Sequence, residues 1–226
     1  MHGPDYPISN AALTDKMRQA APAGRPWKVA LVKTGTWDDA HPYAQKAILD
    51  WTQDLQNHGK GVSVHEAALP PGCEESHEIH ATIYNKTLSY YFKEEFSHDR
   101  LVSPIMKDLI LKGDRISPSQ YEAALRKQER LEHRVNDLFK EYDIILSLST
   151  AGEAPLREEV ERPDPALLWT LYHLPVVSAP VFTSPAGLPF GLQIVAARYN
   201  DIKLFRFLRY LRETSRIPET SKPRVL

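Results

Sequence analysis

The strongest constraint on this chain is the run from Trp169 to Ala197, WTLYHLPVVSAPVFTSPAGLPFGLQIVAA. It reads as the end of a helix, a buried strand centred on Val176 and Val177, a reversal punctuated by Pro185, Gly187 and Pro189, and a second strand from Phe190 to Ala196. The result is a well-packed strand pair, around which the rest of the chain has to be arranged.

Upstream, Val29-Ala30-Leu31-Val32 is a compact apolar strand closed by Thr34-Gly35-Thr36. Asp39 is the expected N-cap of a helix in which Ala44, Ile48, Trp51 and Leu55 recur at helical spacing. His58-Gly59 is expected to end that helix with a residue at positive φ, and Val62 and Val64 alternate as a second strand. Strand, helix and strand in this order make a βαβ unit, with parallel pairing and a right-handed crossover, which places the chain in the α/β class.

After the Pro70-Pro71-Gly72 loop, Ile79, Ile83, Leu88, Tyr91 and Phe92 fit a helix with a broad apolar stripe. Ser103-Pro104 and Ser117-Pro118 each place a side-chain oxygen at N-cap and a proline at N1, so two more helices begin there. The first is expected to stop at Gly113. The second carries Tyr121, Leu125, Leu131, Val135, Leu138 and Tyr142. Ile144-Ile145-Leu146 is a third buried strand, and the polar loop from Ser149 to Pro165 lies at its C-terminal end, where open α/β sheets form ligand crevices. A short helix, Ala166 to His173, leads into the strand pair. A last helix from about Asp201 buries Leu204, Leu208 and Leu211. Residues 1–26 read as a loosely ordered lead-in with a short helix around Ala11 to Met17, residues 27–213 as one α/β domain, and residues 214–226 as a polar tail.

Composition narrows the classes of function. A chain of 226 residues, 42% hydrophobic and 25% charged, has the material for one substantial core. A formal net charge of -1 supplies no electrostatic drive toward nucleic acid or an anionic membrane. No apolar run approaches the roughly 20 residues of a membrane span, and Met1 to Ala20 lacks the pattern of a signal peptide, so a soluble cytoplasmic protein is expected. The single cysteine, Cys73, excludes an intrachain disulfide and sits in a loop.

Candidate chemical groups mostly resolve into structure. His77 and His80 are three apart, not four as in H-E-x-x-H, and no third ligand accompanies them, so no metal site is expected. Asp38-Asp39 and Glu74-Glu75 are adjacent pairs explained by capping and solvation. Lys203, Arg206, Arg209 and Arg212 form a basic helix face, read as solvated, that otherwise suits an acidic partner. There is no G-x-G-x-x-G, Walker-type or G-x-S-x-G run, and no cofactor is expected.

Several stretches, in order, resemble the C-terminal half of the amidase signature family, serine hydrolases acting on C–N bonds. They are Trp27 to Thr34 with Trp37-Asp38, the helix containing His80, Leu101-Val102-Ser103-Pro104, the Gly113 to Tyr121 connection, Tyr142 to Leu146, and Gly187-Leu188-Pro189-Phe190-Gly191-Leu192-Gln193. The resemblance covers about residues 24–212 and implies a mixed sheet flanked by helices, as in the C-terminal half of an α/β/α fold. It also implies a serine nucleophile, a second serine in a cis peptide, a lysine base and a glycine-rich oxyanion hole.

Those groups precede the matched region in the family. This chain has 10 glycines, no two adjacent, and no Ser-Ser pair, so no catalytic residue is carried over. What the resemblance implies here is pocket wall: Thr150, Ala151 and Gly152 after the third strand, and Trp169 and Tyr172 on one face of the short helix, a pair that fits ordinary core aromatics at least as well. The expected ligand is a small-molecule amide, provided an N-terminal half completes the site. A partner chain or self-association is the expected interaction.

Overall fold

The computed structural model describes residues 14–98 and 100–217. Five strands form one sheet in the order β2-β1-β3-β5-β4. They are β1 (Trp27–Val32), β2 (Val62–Ala67), β3 (Ile144–Leu148), β4 (Val176–Thr183) and β5 (Pro189–Val195). β1 runs parallel to β2 and β3, whereas β5 is antiparallel to both β3 and β4. The sheet is therefore mixed, with the change of direction at β3/β5.

Helices cover both faces because β1 and β3 carry apolar residues at consecutive positions, a pattern that requires cover on each side. On one face Val29, Leu31, Ile144, Leu146, Leu192 and Ile194 pack with α1 (Pro42–His58) and the helix Asp201–Glu213. On the other, Ala30, Val32, Ile145 and Val195 pack with α2 (Ser76–Tyr91), with α5 (Pro118–Asp137) and with α6 (Leu167–Leu171). Between α2 and α5 lie α3 (Lys93–Ser97) and α4 (Pro104–Asp114); the Asp201–Glu213 helix is α7.

The paired Ser-Pro starts are present. Ser103 Oγ accepts from Met106 N–H at 3.2 Å. Ser117 Oγ accepts from Gln120 N–H at 3.2 Å while Ser117 N–H donates to Gln120 Oε1 at 2.8 Å, a reciprocal capping box. Gly113 lies one residue inside the end of α4, against Asn85 of α2; a Cβ on it would fall 1.9 Å from Asn85 O, so its lack of a side chain sets the helix crossing.

Some local expectations are corrected. α1 is not capped by Asp39, which closes a 3-10 turn over Trp37–Asp39; His41 is the N-cap and Pro42 occupies N1. Gly59 ends α1 at φ -77, and it is Gly61 two residues later that takes positive φ, at 75. α5 ends at Asp137 and passes into a 3-10 turn, Leu138–Lys140, before reaching Tyr142. In α7 the inward residues are Leu204, Phe207 and Leu211, with Leu208 only half-buried, and Lys203 turns toward Asp143 at 3.9 Å instead of joining the solvated basic face.

Of the short helix expected around Ala11 to Met17, the part before Thr14 lies outside the described residues, as does the tail from residue 218. From Asp15 the chain turns, its carboxylate accepting from Met17 and Arg18 N–H, and it meets the segment that follows β5. There Arg18 donates to Asn200 Oδ1 and Arg198 O, each at 2.6 Å.

The two sheet edges differ. On β2, Val64 N–H is taken by Gln56 Oε1 at 2.5 Å. β4 has a regular register with β5 over Val176–Ala179 and is then interrupted, with Pro180 inside the irregularity, before pairing resumes at Phe182. Proline and a bulge are features of edge strands. No helix among the described residues is long and apolar enough to cross a membrane.

Candidate functional site

The strand register assembles a polar surface that no single segment shows. Ala30, Ile145, Val195 and Val176 stand opposite one another across β1, β3, β5 and β4 and belong to the apolar layer under α6. Two positions further along the strands, on the same face, Ser147, Gln193 and Ser178 form the next row. Beyond it Ser149 lies opposite Gly191 and donates its N–H to Gly191 O at 3.1 Å. The face thus changes from apolar to polar toward the C-terminal end of β3.

Ser147 is fully buried, Gln193 is 5% exposed and Ser149 7%, while Ser178 on the edge strand is open to solvent. Trp169 Nε1–H donates to Ser147 Oγ at 3.0 Å, which closes the apolar side of the row. Gly191 has a spatial function. A Cβ there would sit 2.4 Å from Ser149 Oγ and 2.5 Å from Ser178 Oγ, so the two hydroxyls converge over a position that only glycine leaves open.

The loop that follows β3 is fastened at several points. His41 N–H donates to Ala151 O at 2.8 Å and Thr150 Oγ1–H to Gly152 O at 2.7 Å. Glu153 N–H donates to Tyr43 Oη at 2.9 Å, and the Tyr43 ring meets Phe190 edge-on with centroids 5.6 Å apart. The Glu153 carboxylate accepts from Ser184 Oγ, and that hydroxyl also accepts from Leu188 N–H at 3.1 Å, tying the loop to the β4–β5 reversal. Arg162 Nη1 donates to Asp39 O at 2.6 Å, and His77 Nε2 lies 3.1 Å from Asp164 O. His77 is thus engaged with the loop backbone.

Of the five residues singled out in the sequence, Thr150 is exposed, Ala151 half-buried and Gly152 buried beside Tyr43 and His41, together at the end of β3. Trp169 and Tyr172 are fully buried. Trp169 reaches the polar row through Ser147. Tyr172 lies deeper, its hydroxyl 2.6 Å from Ser76 Oγ beside Cys73, and burial pushes both the Tyr172 hydroxyl and the Cys73 thiol above their ordinary pKa values. His80 stacks on Tyr84, and burial followed by the nearby His77 holds its imidazole below the usual pKa. The described residues contain no group of three or more His, Cys, Asp or Glu placed to hold a metal ion.

The residues that sequence reasoning missed are Ser147, Ser149, Ser178, Gly191 and Gln193. Their signal was the period-2 interruption of two apolar strands, Ser147 and Ser149 in one and Gly191 and Gln193 in the other.

A mixed, doubly covered sheet with a polar row at one end of its central strand is an α/β fold with helices on both faces. The Amidase family model matches residues 4–205, and the chain belongs to that family. Among curated relatives it is 26% identical over 209 residues to a glutamyl-tRNA(Gln) amidotransferase subunit of Agathobacter rectalis, covering 79% of this chain and 42% of the relative.

Solved structures agree on the fold. A crystal structure of an amidase superposes with TM-score 0.75 at 20% identity, over 88% of this chain and 48% of that one. An inhibitor-bound protein, from a vestigial complex described as revealing the origins of an s-triazine catabolic enzyme, gives TM-score 0.74 at 22% identity, over 91% of this chain and 46% of its own. The chain spans less than half the length of these relatives.

Proposed function

We propose that this chain is the C-terminal half of an amidase-fold hydrolase acting on a small amide in the cytoplasm. In this reading the serine nucleophile, its relay serine, the lysine base and the oxyanion-hole amides come from another half of the fold, and the chain alone turns over no substrate. The observation that carries the reading is the asymmetry of coverage, 88% of this chain against 48% of the solved amidase, combined with a sequence that has no Ser-Ser pair and no adjacent glycines. An unactivated alcohol is a poor nucleophile, and a tetrahedral oxyanion needs preorganised donors, so pocket wall without these groups has no route to hydrolysis.

The chain's own contribution is shape. Thr150 and, in part, Ala151 offer wall at the end of β3 over the buried Gly152, with Trp169 backing it through Ser147 and Tyr172 holding the short helix that carries Trp169. Assaying the purified chain against simple amides tests the reading: no turnover is expected, and hydrolysis abolished by loss of one of this chain's serines overturns it.

A second reading, a non-catalytic module that binds a partner chain or itself through its edge, is favoured by β4. Its Val176–Ala179 segment is regular and lies at the sheet boundary, and Tyr90, Tyr91, Leu101 and Ile105 expose apolar surface elsewhere. Light scattering separates the cases, because a compact monomer at all concentrations counts against association.

A further inference from the structure

We propose that the chain associates with further copies of itself end to end, the exposed loop after β3 of one copy docking on the outer face of α7 in the next. The contact depends neither on amide chemistry nor on pairing at the β4 edge.

The outer face of α7 is one partner. Ile202 and Phe205 are 43% and 60% exposed there, and Arg206 and Arg209 are exposed beside them, all within about a third of the helix circumference. Neither arginine has a hydrogen bond or ion pair with a described residue. With Lys203 drawn away toward Asp143, the face that remains is basic and apolar together. Aromatic and arginine side chains side by side are the composition of interfaces, not of a plainly solvated helix.

The loop supplies the opposite surface. Residues 154–164 are exposed without interruption. Within them Val160, at 93%, is the most exposed large apolar side chain among the described residues, and Leu156 is 70% exposed. Arg157, Glu158, Glu159 and Glu161 around them give the tip a net charge of -2. Glu158 and Glu161 have no hydrogen bond or ion pair with a described residue. The tip is also pre-ordered: Glu159 N–H donates to Leu156 O at 3.0 Å, and Leu156 N–H to the Glu159 carboxylate at 3.3 Å. A loop held in this way, and fastened through Glu153 and Arg162 on either side, loses little entropy on docking.

Geometry assigns the contact to another molecule. The loop follows the C-terminal end of β3, whereas α7 lies where the parallel strands begin. Phe207 meets the ring of Trp27, the first residue of β1, at 5.2 Å, and Lys203 approaches Asp143, just before β3, at 3.9 Å. Beyond the other end of α7, Arg216 pairs with Asp54, near the end of α1 where the chain turns into β2. The two surfaces therefore lie at opposite ends of one copy. Their contact is head-to-tail, adding copies in series or closing a ring. Carboxylates then face guanidinium groups, and Leu156 and Val160 face Ile202 and Phe205. A second acidic and apolar stretch, Tyr90 and Tyr91 with Glu94 and Glu95 on α3, is a poorer match because Lys93 lies within it, over the Tyr90 ring at 5.6 Å.

The test uses two charge reversals at exposed positions, in protein shown by circular dichroism to be folded. Arg206→Glu with Arg209→Glu reverses the helix, and Glu158→Lys with Glu161→Lys reverses the loop. Light scattering of the purified chain is expected to show mass rising with concentration. Each reversal alone is expected to weaken association about tenfold or more, because attraction becomes repulsion. An equimolar mixture of the two variants is expected to restore it, since the reversed loop fits the reversed helix and the unreversed loop and helix keep the native pair. Raising salt from about 0.05 to about 0.5 M is expected to weaken association severalfold.

The proposal is overturned by a chain that stays monomeric up to about 1 mM, beyond which a contact is too weak to count as specific. It is equally overturned by a mixture that stays dissociated, or by association that neither reversal weakens, the result expected of pairing at β4. If the helix variant is rescued instead by Glu94→Lys with Glu95→Lys, the occupant is the α3 patch and the loop assignment falls. None of these outcomes bears on the amidase reading.

Discussion

Asp143 shows how one residue fastens the start of the central strand. Its carboxylate accepts from Arg25 at 2.6 and 2.8 Å and from Lys28 N–H at 3.0 Å, and is itself almost fully buried. Burial works against its ionisation, but the bonds from Arg25 and Lys28 N–H outweigh it and hold the carboxyl below its usual pKa. A depressed folded-state pKa adds stability that is fully present above the unfolded value of about 3.9 and is lost as pH falls through the lower folded value. Asp143→Asn is therefore expected to lower stability by about 2 kcal/mol at pH 7, with the gap to wild type closing below about pH 4 in denaturant melts. Gly113→Ala is expected to cost about 1–3 kcal/mol, since the obstacle is the Asn85 backbone and not a side chain that can rotate away. Thermal unfolding reads that loss directly; an unchanged Tm would mean that α2 and α4 separate at no cost.

At the scale of elements, the clearest dependence is the capping box of α5. Ser117→Ala removes the acceptor for Gln120 N–H and is expected to cost about 1 kcal/mol, measured by urea unfolding. The two Ser-Pro helix starts were legible because capping is local chemistry. So were the strands, each a short apolar run between turn residues, and the β4–β5 pair with its marked reversal. The start of α1 was misread because Asp39 is a good capping residue by type, and only the extended His41 before Pro42 decides where the helix begins. The polar row was not legible. Ser147, Gln193 and Ser178 become neighbours through the pairing of three strands, and the order β3-β5-β4 is set by tertiary packing. Thr150 to Gly152 were named from the family resemblance, which said nothing of their individual burial, whereas the burial of Tyr172 against Ser76 was hidden in a helical pattern that fits core and pocket equally well.

For the molecule as a whole, family membership rests on the Amidase match over residues 4–205, while on the proposed reading the reacting groups belong to another part of the amidase architecture. The prediction at this scale is a separation of binding from turnover: small amides are bound weakly and left intact, as checked by ligand titration alongside an ammonia-release assay. The position of β3 has a further consequence, for folding. This strand, at the centre of the sheet, lies beside β1, and the Lys28–Asp143 contact at the start of that pairing joins residues 115 positions apart. The β4–β5 hairpin needs only its short reversal to close. Remote pairings are slow because chain entropy is lost before the contacts form. In pulse-labelled hydrogen exchange, amides of β4 and β5 should gain protection before those of β1 and β3, so the chain would complete its centre last.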